Sequence, residues 1–336
     1  MLIDRFFETG RRFLGCQYPI MCGAMTWVSD PTLVTAVGKA GGFGLLAGGN
    51  APVEVLKEQV ETTRRLSDCP FGVNIITLAP VYIDQLNLVC DLGCDFVVFA
   101  GGIPKRKEIE QAKSCGAKVI CFAPTAMLAM QLIDRGVDAL MLEGSEAGGH
   151  IGPVALSVLL QQILFEVDDV PIFIAGGIAT GRMMTHLMMM GAAGIQMGTR
   201  FVMAEECIAH PHFKESFRKA KARDAMATPQ FDSRLPIIPV RSLKNEGTIE
   251  FAKLQLELLH KLDNGYMDRQ QAQFAAERFW VGALKNAVID GDVAKGSLMA
   301  GQSVGLVDEV MPLQAIIDEF IQDGEAELVR LKQALA

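Results

Sequence analysis

The chain has 336 residues, of which 50% are hydrophobic and 21% charged, and its formal net charge is -8. That balance fits a folded protein with a large core and leaves no disordered or low-complexity domain. Mild acidity without a long Lys/Arg run excludes a nucleic-acid footprint, which needs a basic stripe to neutralise phosphates.

No run of apolar residues is long enough to span a membrane. The N-terminal MLIDRFFETGRRF lacks the apolar region and cleavage site of a secretory leader. The eight cysteines (Cys16, Cys22, Cys69, Cys90, Cys94, Cys115, Cys121 and Cys207) form no CxxC pair and no Cys/His set with zinc spacing. The expectation is a reducing, cytoplasmic setting without a metal site.

In chain order, short apolar runs alternate with amphipathic stretches. The predicted strands are YPIMCG (18–23), GFGLLAG (42–48), FGVNIIT (71–77), CDFVVFA (94–100), AKVICFA (117–123), VDALMLE (137–143), PIFIAG (171–176) and AGIQMG (193–198). They are apolar on both faces, as buried parallel strands are. Helical patterns fill the gaps. Asp30 before Pro31 reads as an N-cap with Pro at the first helical position, and Gly41 and Gly116 read as left-handed C-caps. Successive strands recur at roughly 20–30 residues, the interval of a regular barrel. The turn CGAMTW after the first strand is not the GxGxxG of an open dinucleotide-binding sheet. The predicted fold is therefore α/β, a TIM (β/α)8 barrel over residues 1–204. Residues 205–285 read as a helical insertion without strand alternation, forming a lid over the C-terminal face. Residues 286–336 read as a segment packing back on the barrel. Lys214, Arg218, Lys219, Lys221 and Arg223 read as a solvated helix face.

In such barrels the site lies in the βα loops. The seventh and eighth strands end in AGGIATGR (175–182) and MGTRF (197–201). Glycines there let a phosphate approach the backbone, so N–H groups of Gly176, Gly177, Gly198 and Thr199 are expected to meet its oxygens; tight turns without a ligand are the alternative. The sixth strand ends in EGSEAGGHIG (143–152), which sets one imidazole, His150, at the barrel mouth. A side chain of pKa about 6.5 suits proton transfer there. Glu146 either orients that loop or stays solvated. Asn74, closing the third strand, offers donor and acceptor groups for a flavin ring or ribityl chain. Met25 packs against such a ring, and Cys22 reads as a buried structural thiol. His186, in THLMMMG, reads as a packed core residue; His210 and His212 lack partners for a metal set, and His260 sits on a helix face. GSLMAGQSVGL (296–306) is a second small-residue loop returning to the phosphate end.

Together PIMCGAMTWVSD, AVGKAGGFGLLAGGNAP, PFGVNI, EGSEAGGHIG, AGGIATGR, GAAGIQMGTRF and GSLMAGQSVGL resemble, in order and over nearly the whole chain, the nitronate monooxygenase (2-nitropropane dioxygenase) family. They also resemble its relative, the FMN-dependent enoyl-acyl-carrier-protein reductase. The resemblance implies FMN contacts at Gly23, Ala24, Met25, Asn74, Glu143, Gly149, Gly176, Gly177, Gly198, Thr199, Met299 and Gln302, with the family's histidine at His150. The family's usual first-loop Gln-Gly-Gly-Met is Cys22, Gly23, Ala24 and Met25 here. The monooxygenase, as the wider group, stands first: oxidation of an alkyl nitronate with O2 to a carbonyl compound and nitrite. The alternative is NAD(P)H-driven reduction of an enoyl thioester, with NAD(P)H as co-substrate, acyl carrier protein as a partner, and His150 polarising the carbonyl or supplying a proton. GGNAP and GSLMAGQSVGLV resemble that reductase branch. A homodimer is compatible with either. A barrel holding flavin or nucleotide without turnover is the reading from another class. Covalent catalysis as in IMP dehydrogenase-like barrels is excluded by the absence of Cys from 143–152.

Overall fold

The computed structural model describes the whole chain, Met1–Ala336. Eight parallel strands close into a barrel: β1 (Ile20–Cys22), β2 (Phe43–Ala47), β3 (Phe71–Ile76), β4 (Phe96–Ala100), β5 (Lys118–Phe122), β6 (Ala139–Glu143), β8 (Ile172–Ala175) and β9 (Gly194–Met197), with β9 pairing back to β1. A two-residue strand, β7 (Gly149–His150), stands outside the barrel. It occupies the longest gap between barrel strands. The barrel expected from sequence is present.

The first ten helices are α1 (Asp4–Leu14), α2 (Pro31–Lys39), α3 (Val53–Leu66), α4 (Tyr82–Asp91), α5 (Arg106–Ser114), α6 (Ala126–Asp134), α7 (Leu156–Leu159), α8 (Gly181–Met189), α9 (Thr199–Val202) and α10 (Pro211–Lys219), the last of them within the 205–285 segment. Asp30 caps α2 through Leu33 N, as its spacing predicts. Gly41 and Gly116 take φ of 89° and 90°, the left-handed conformation that a helix C-cap requires of glycine.

Side-chain alternation divides the interior into two cores. Met21, Phe43, Leu45, Phe96, Val98, Ile120, Met141 and Phe173 fill the barrel, closed from below by Leu14 and Cys16. Their neighbours Ile20, Cys22, Val73, Val97, Leu142 and Ile195 face the helices in the larger outer core. The same parity turns Asn74, Glu143 and Gln196 inward at the upper end of the barrel.

After β9 the chain differs from the sequence reading. Residues 205–285 contain strands as well as helices: β10 (Ala225–Ala227) and β11 (Val240–Leu243) form a small antiparallel sheet with β7. Both strands are too short to show an alternating period. Lys221 and Arg223 lie beyond α10, so only three of the five expected cations are on it, and one of these, Lys214, is part-buried against the Ala204 carbonyl. The long helices α11 (Glu246–Asp263) and α12 (Arg269–Val288) pack together around Phe251, Phe279 and Trp280. The terminal helix α13 (Leu313–Leu335) packs on α8.

Candidate active site

A cavity of about 500 Å³ opens at the C-terminal ends of the strands, between barrel and lid. Its lining includes Gly23, Ala24, Met25, Asn74, Glu143, Gly149, His150, Gly176, Gly177, Gly198, Thr199 and Met299, so twelve sequence candidates meet in one chamber. Gln302 does not line it; its neighbour Ser303 does, while the Gln302 amide donates to the Glu146 carbonyl. Cys22 points away, buried in the outer core, and burial pushes its thiol well above the usual range.

One end of the cavity is a glycine cradle. Gly176 and Gly177 adopt φ of 91° and 71°. Their amides, and that of Gly198, have no acceptor within the protein. Three free N–H groups on closely spaced backbone form the concavity an anion occupies. The 296–306 loop closes this end: the Gly301 amide donates to Thr199 Oγ1 at 3.0 Å. A Cβ on Gly301 would lie 3.0 Å from the Glu146 carbonyl oxygen, so any larger residue would crowd this contact.

The floor is polar. The Gln196 Oε1 is buried without a partner, and Asn74 commits its Nδ2 to the Val98 carbonyl, leaving Oδ1 free. Glu143 has no hydrogen-bond partner in the protein; burial pushes its carboxyl up to about 8. A phosphate cradle, open acceptors and a neutral acid fit the phosphate and polar ring edge of FMN.

His150 is held from three sides. Its backbone pairs with Val240 on β11. Buried Arg241 donates to the Ser145 carbonyl at 2.8 Å and to the Ala225 carbonyl at 2.7 Å, tying the β6–β7 loop to the lid sheet. Glu277 of α12 places both carboxylate oxygens 3.1 Å from His150 Nε2. Glu146 orients the loop, accepting from Leu156 N at 3.0 Å.

Glu277 escaped the sequence reading. Its signal is the α12 face Phe274, Glu277, Trp280, Val281 and Leu284, which lines the cavity with one acid in an apolar stripe. The other histidines stand apart. His186 is not a packed core residue: its side chain is 42% exposed and meets the buried Glu327 at 2.8 Å. The His210 and His212 rings meet edge-on with centroids 4.6 Å apart, and no cluster of metal-ligating side chains exists. No helix is long and apolar enough to cross a membrane.

A glycine-cradled cavity at the C-terminal face of a (β/α)8 barrel, with one histidine in its wall, has the layout of a phosphate-binding barrel enzyme. The nitronate monooxygenase family pattern matches residues 9–85 and 77–323, and the chain belongs to that family of FMN-dependent enzymes. The "(3aS,4S,5R,7aS)-5-hydroxy-7a-methyl-1-oxo-octahydro-1H-indene-4-carboxyl-CoA dehydrogenase" of Rhodococcus jostii (strain RHA1) is 30% identical, over 93% of this chain and 94% of its own. A probable nitronate monooxygenase of Staphylococcus saprophyticus is 26% identical, over 93% of this chain and 96% of its own. The structure of FabK from Thermotoga maritima superimposes with a TM-score of 0.85 at 35% identity, covering 96% of this chain and 98% of that one.

Proposed function

We propose that this FMN-dependent oxidoreductase acts on an acyl thioester, at the carbon–carbon bond beside the thioester carbonyl. The observation that carries the reading is how much of the cavity wall is apolar. Ile76, Leu78, Ile103, Phe122, Pro124 and Leu128 line it from the barrel, and Phe274, Trp280 and Leu284 from the lid. A hydrocarbon tail gains about 25 cal/mol per Å² of apolar surface it buries there, and a short nitronate has little to bury. The relative whose name specifies a carboxyl-CoA, aligned over nearly the full chain, supports the same substrate class.

FMN, when bound, supplies or accepts the electron pair. The free amides of Gly176, Gly177 and Gly198 would hold its phosphate, and Gln196 and neutral Glu143 would bond the polar edge of its ring. His150 moves the proton on the carbon beside the carbonyl, or polarises that carbonyl. The lid excludes water from the reacting bond. Nitronate oxidation is the second reading, favoured by the family match and the staphylococcal relative.

Anaerobic mixing separates them. Bleaching of the flavin by NADH or NADPH, then reoxidation by crotonyl-CoA, is the expected result. Bleaching by propyl nitronate, with no response to pyridine nucleotide or thioester, would overturn the thioester reading in favour of the second.

A further inference from the structure

We propose that Glu277 is a positioning residue that fixes the tautomer of His150, so that the lid helix sets which ring nitrogen handles the substrate proton. The inference rests on the reading that His150 moves that proton, and it adds the atom and the residue that selects it.

His150 Nε2 lies 3.1 Å from both Glu277 oxygens, whereas no protein atom bonds Nδ1. An ionised carboxylate only accepts, so a neutral imidazole in this contact carries its proton on Nε2 and keeps its lone pair on Nδ1. The pair is partly sheltered, with side-chain exposures of 35% and 24%, so the contact is screened less than one in open water. Other nearby charges are engaged elsewhere: Arg241 on two carbonyls and Glu146 on the Leu156 amide.

The partners lie 127 residues apart on separate elements, so the contact exists only with α12 docked. One turn beyond Glu277 a second tie holds that helix, where Trp27 Nε1 donates to the Val281 carbonyl at 3.1 Å. Trp27 makes this bond at φ 67°, a left-handed conformation that costs a bulky residue about 1–3 kcal/mol. Seating of the lid and orientation of the imidazole are therefore one event.

Long-range ¹H–¹⁵N spectra of the histidine rings test this without substrate. The chain has five histidines, so His150→Ala assigns the signal by its loss. The neutral ring is expected to be protonated at Nε2 in the native protein and mixed between tautomers in Glu277→Ala. Glu277→Gln, whose amide can turn either its oxygen or its NH2 to the ring, should also leave the tautomers mixed. A native ring protonated at Nδ1, or one unchanged by Glu277→Ala, would overturn the proposal.

Reoxidation of the reduced flavoprotein by crotonyl-CoA adds a second readout. Glu277→Ala should slow it about 10²-fold, the lower end of what a placed acid–base group contributes, and should do nothing further in the His150→Ala background. Equal slowing in both backgrounds would mean a general lid defect and would defeat the positioning role. A His150→Ala variant as fast as the native protein would instead strike the reading of His150 itself, leaving the ring spectra to decide the tautomer.

Discussion

Glu143 shows how one residue is tuned by its place. It ends β6 on the inward face, where the barrel supplies no hydrogen-bond donor and no compensating cation. The carboxyl therefore holds its proton up to about pH 8, against an ordinary value of 4.5. The folded chain binds that proton more tightly than the unfolded chain does. Its favourable contribution to stability is complete below about pH 4.5 and is lost as pH rises through about 8. Glu143→Gln keeps the shape without the titration. In flavin-free protein, the melting temperature of the variant should gain on the native one between about pH 5 and about pH 9. A difference that stays flat across that range would show that the carboxyl is solvated in the open cavity. Neutral Glu143 is also a donor, which an ionised carboxylate is not, and that is the property a ligand's acceptor would use.

At the scale of elements, α13 is locked to α8 by a charge cluster. Glu327, its side chain 1% exposed, accepts from Arg330 at 2.6 Å and His186 at 2.8 Å, with Arg182 at 3.2 Å. The Arg330 hydrogen bonds, first among these contacts, hold its carboxyl down to about 2. A depressed acid contributes stability above its ordinary pKa and loses it as pH falls towards the folded value. Glu327→Gln should therefore lower the melting temperature at about pH 7, and the gap to native protein should close towards about pH 3. A gap that stays constant would mean that the ionised Glu327 carboxylate contributes nothing to stability. This cluster also marks a limit of sequence reading. His186 sits among methionines, and its partner lies 141 residues away, so local pattern points to the core. The barrel strands were legible because two apolar faces and regular spacing are local signals. β10 and β11 were not, because three or four residues carry no period and their partner β7 is set by the fold. The glycine turns were legible because positive φ leaves few other residues. Glu277 was hidden because its meaning depends on which face of α12 meets His150.

At the scale of the molecule, the cradle draws on distant parts of the chain: the loops after β8 and β9 and the 296–306 return. None of these segments forms the cradle alone, and the amides of Gly176, Gly177 and Gly198 have no acceptor within the protein, which leaves them free to donate to an anion. A ligand that binds only the folded chain stabilises it by about 2.7 kcal/mol at a hundredfold excess over its Kd. For a chain of this length that corresponds to about 4 °C in melting temperature. FMN should produce this shift in flavin-free protein, and riboflavin, which has the same ring system without the phosphate, should produce much less at equal concentration. Equal shifts would place the binding energy in the ring and deny the cradle its role. Protein that stays colourless and unshifted in excess FMN would remove the cofactor from this cavity altogether.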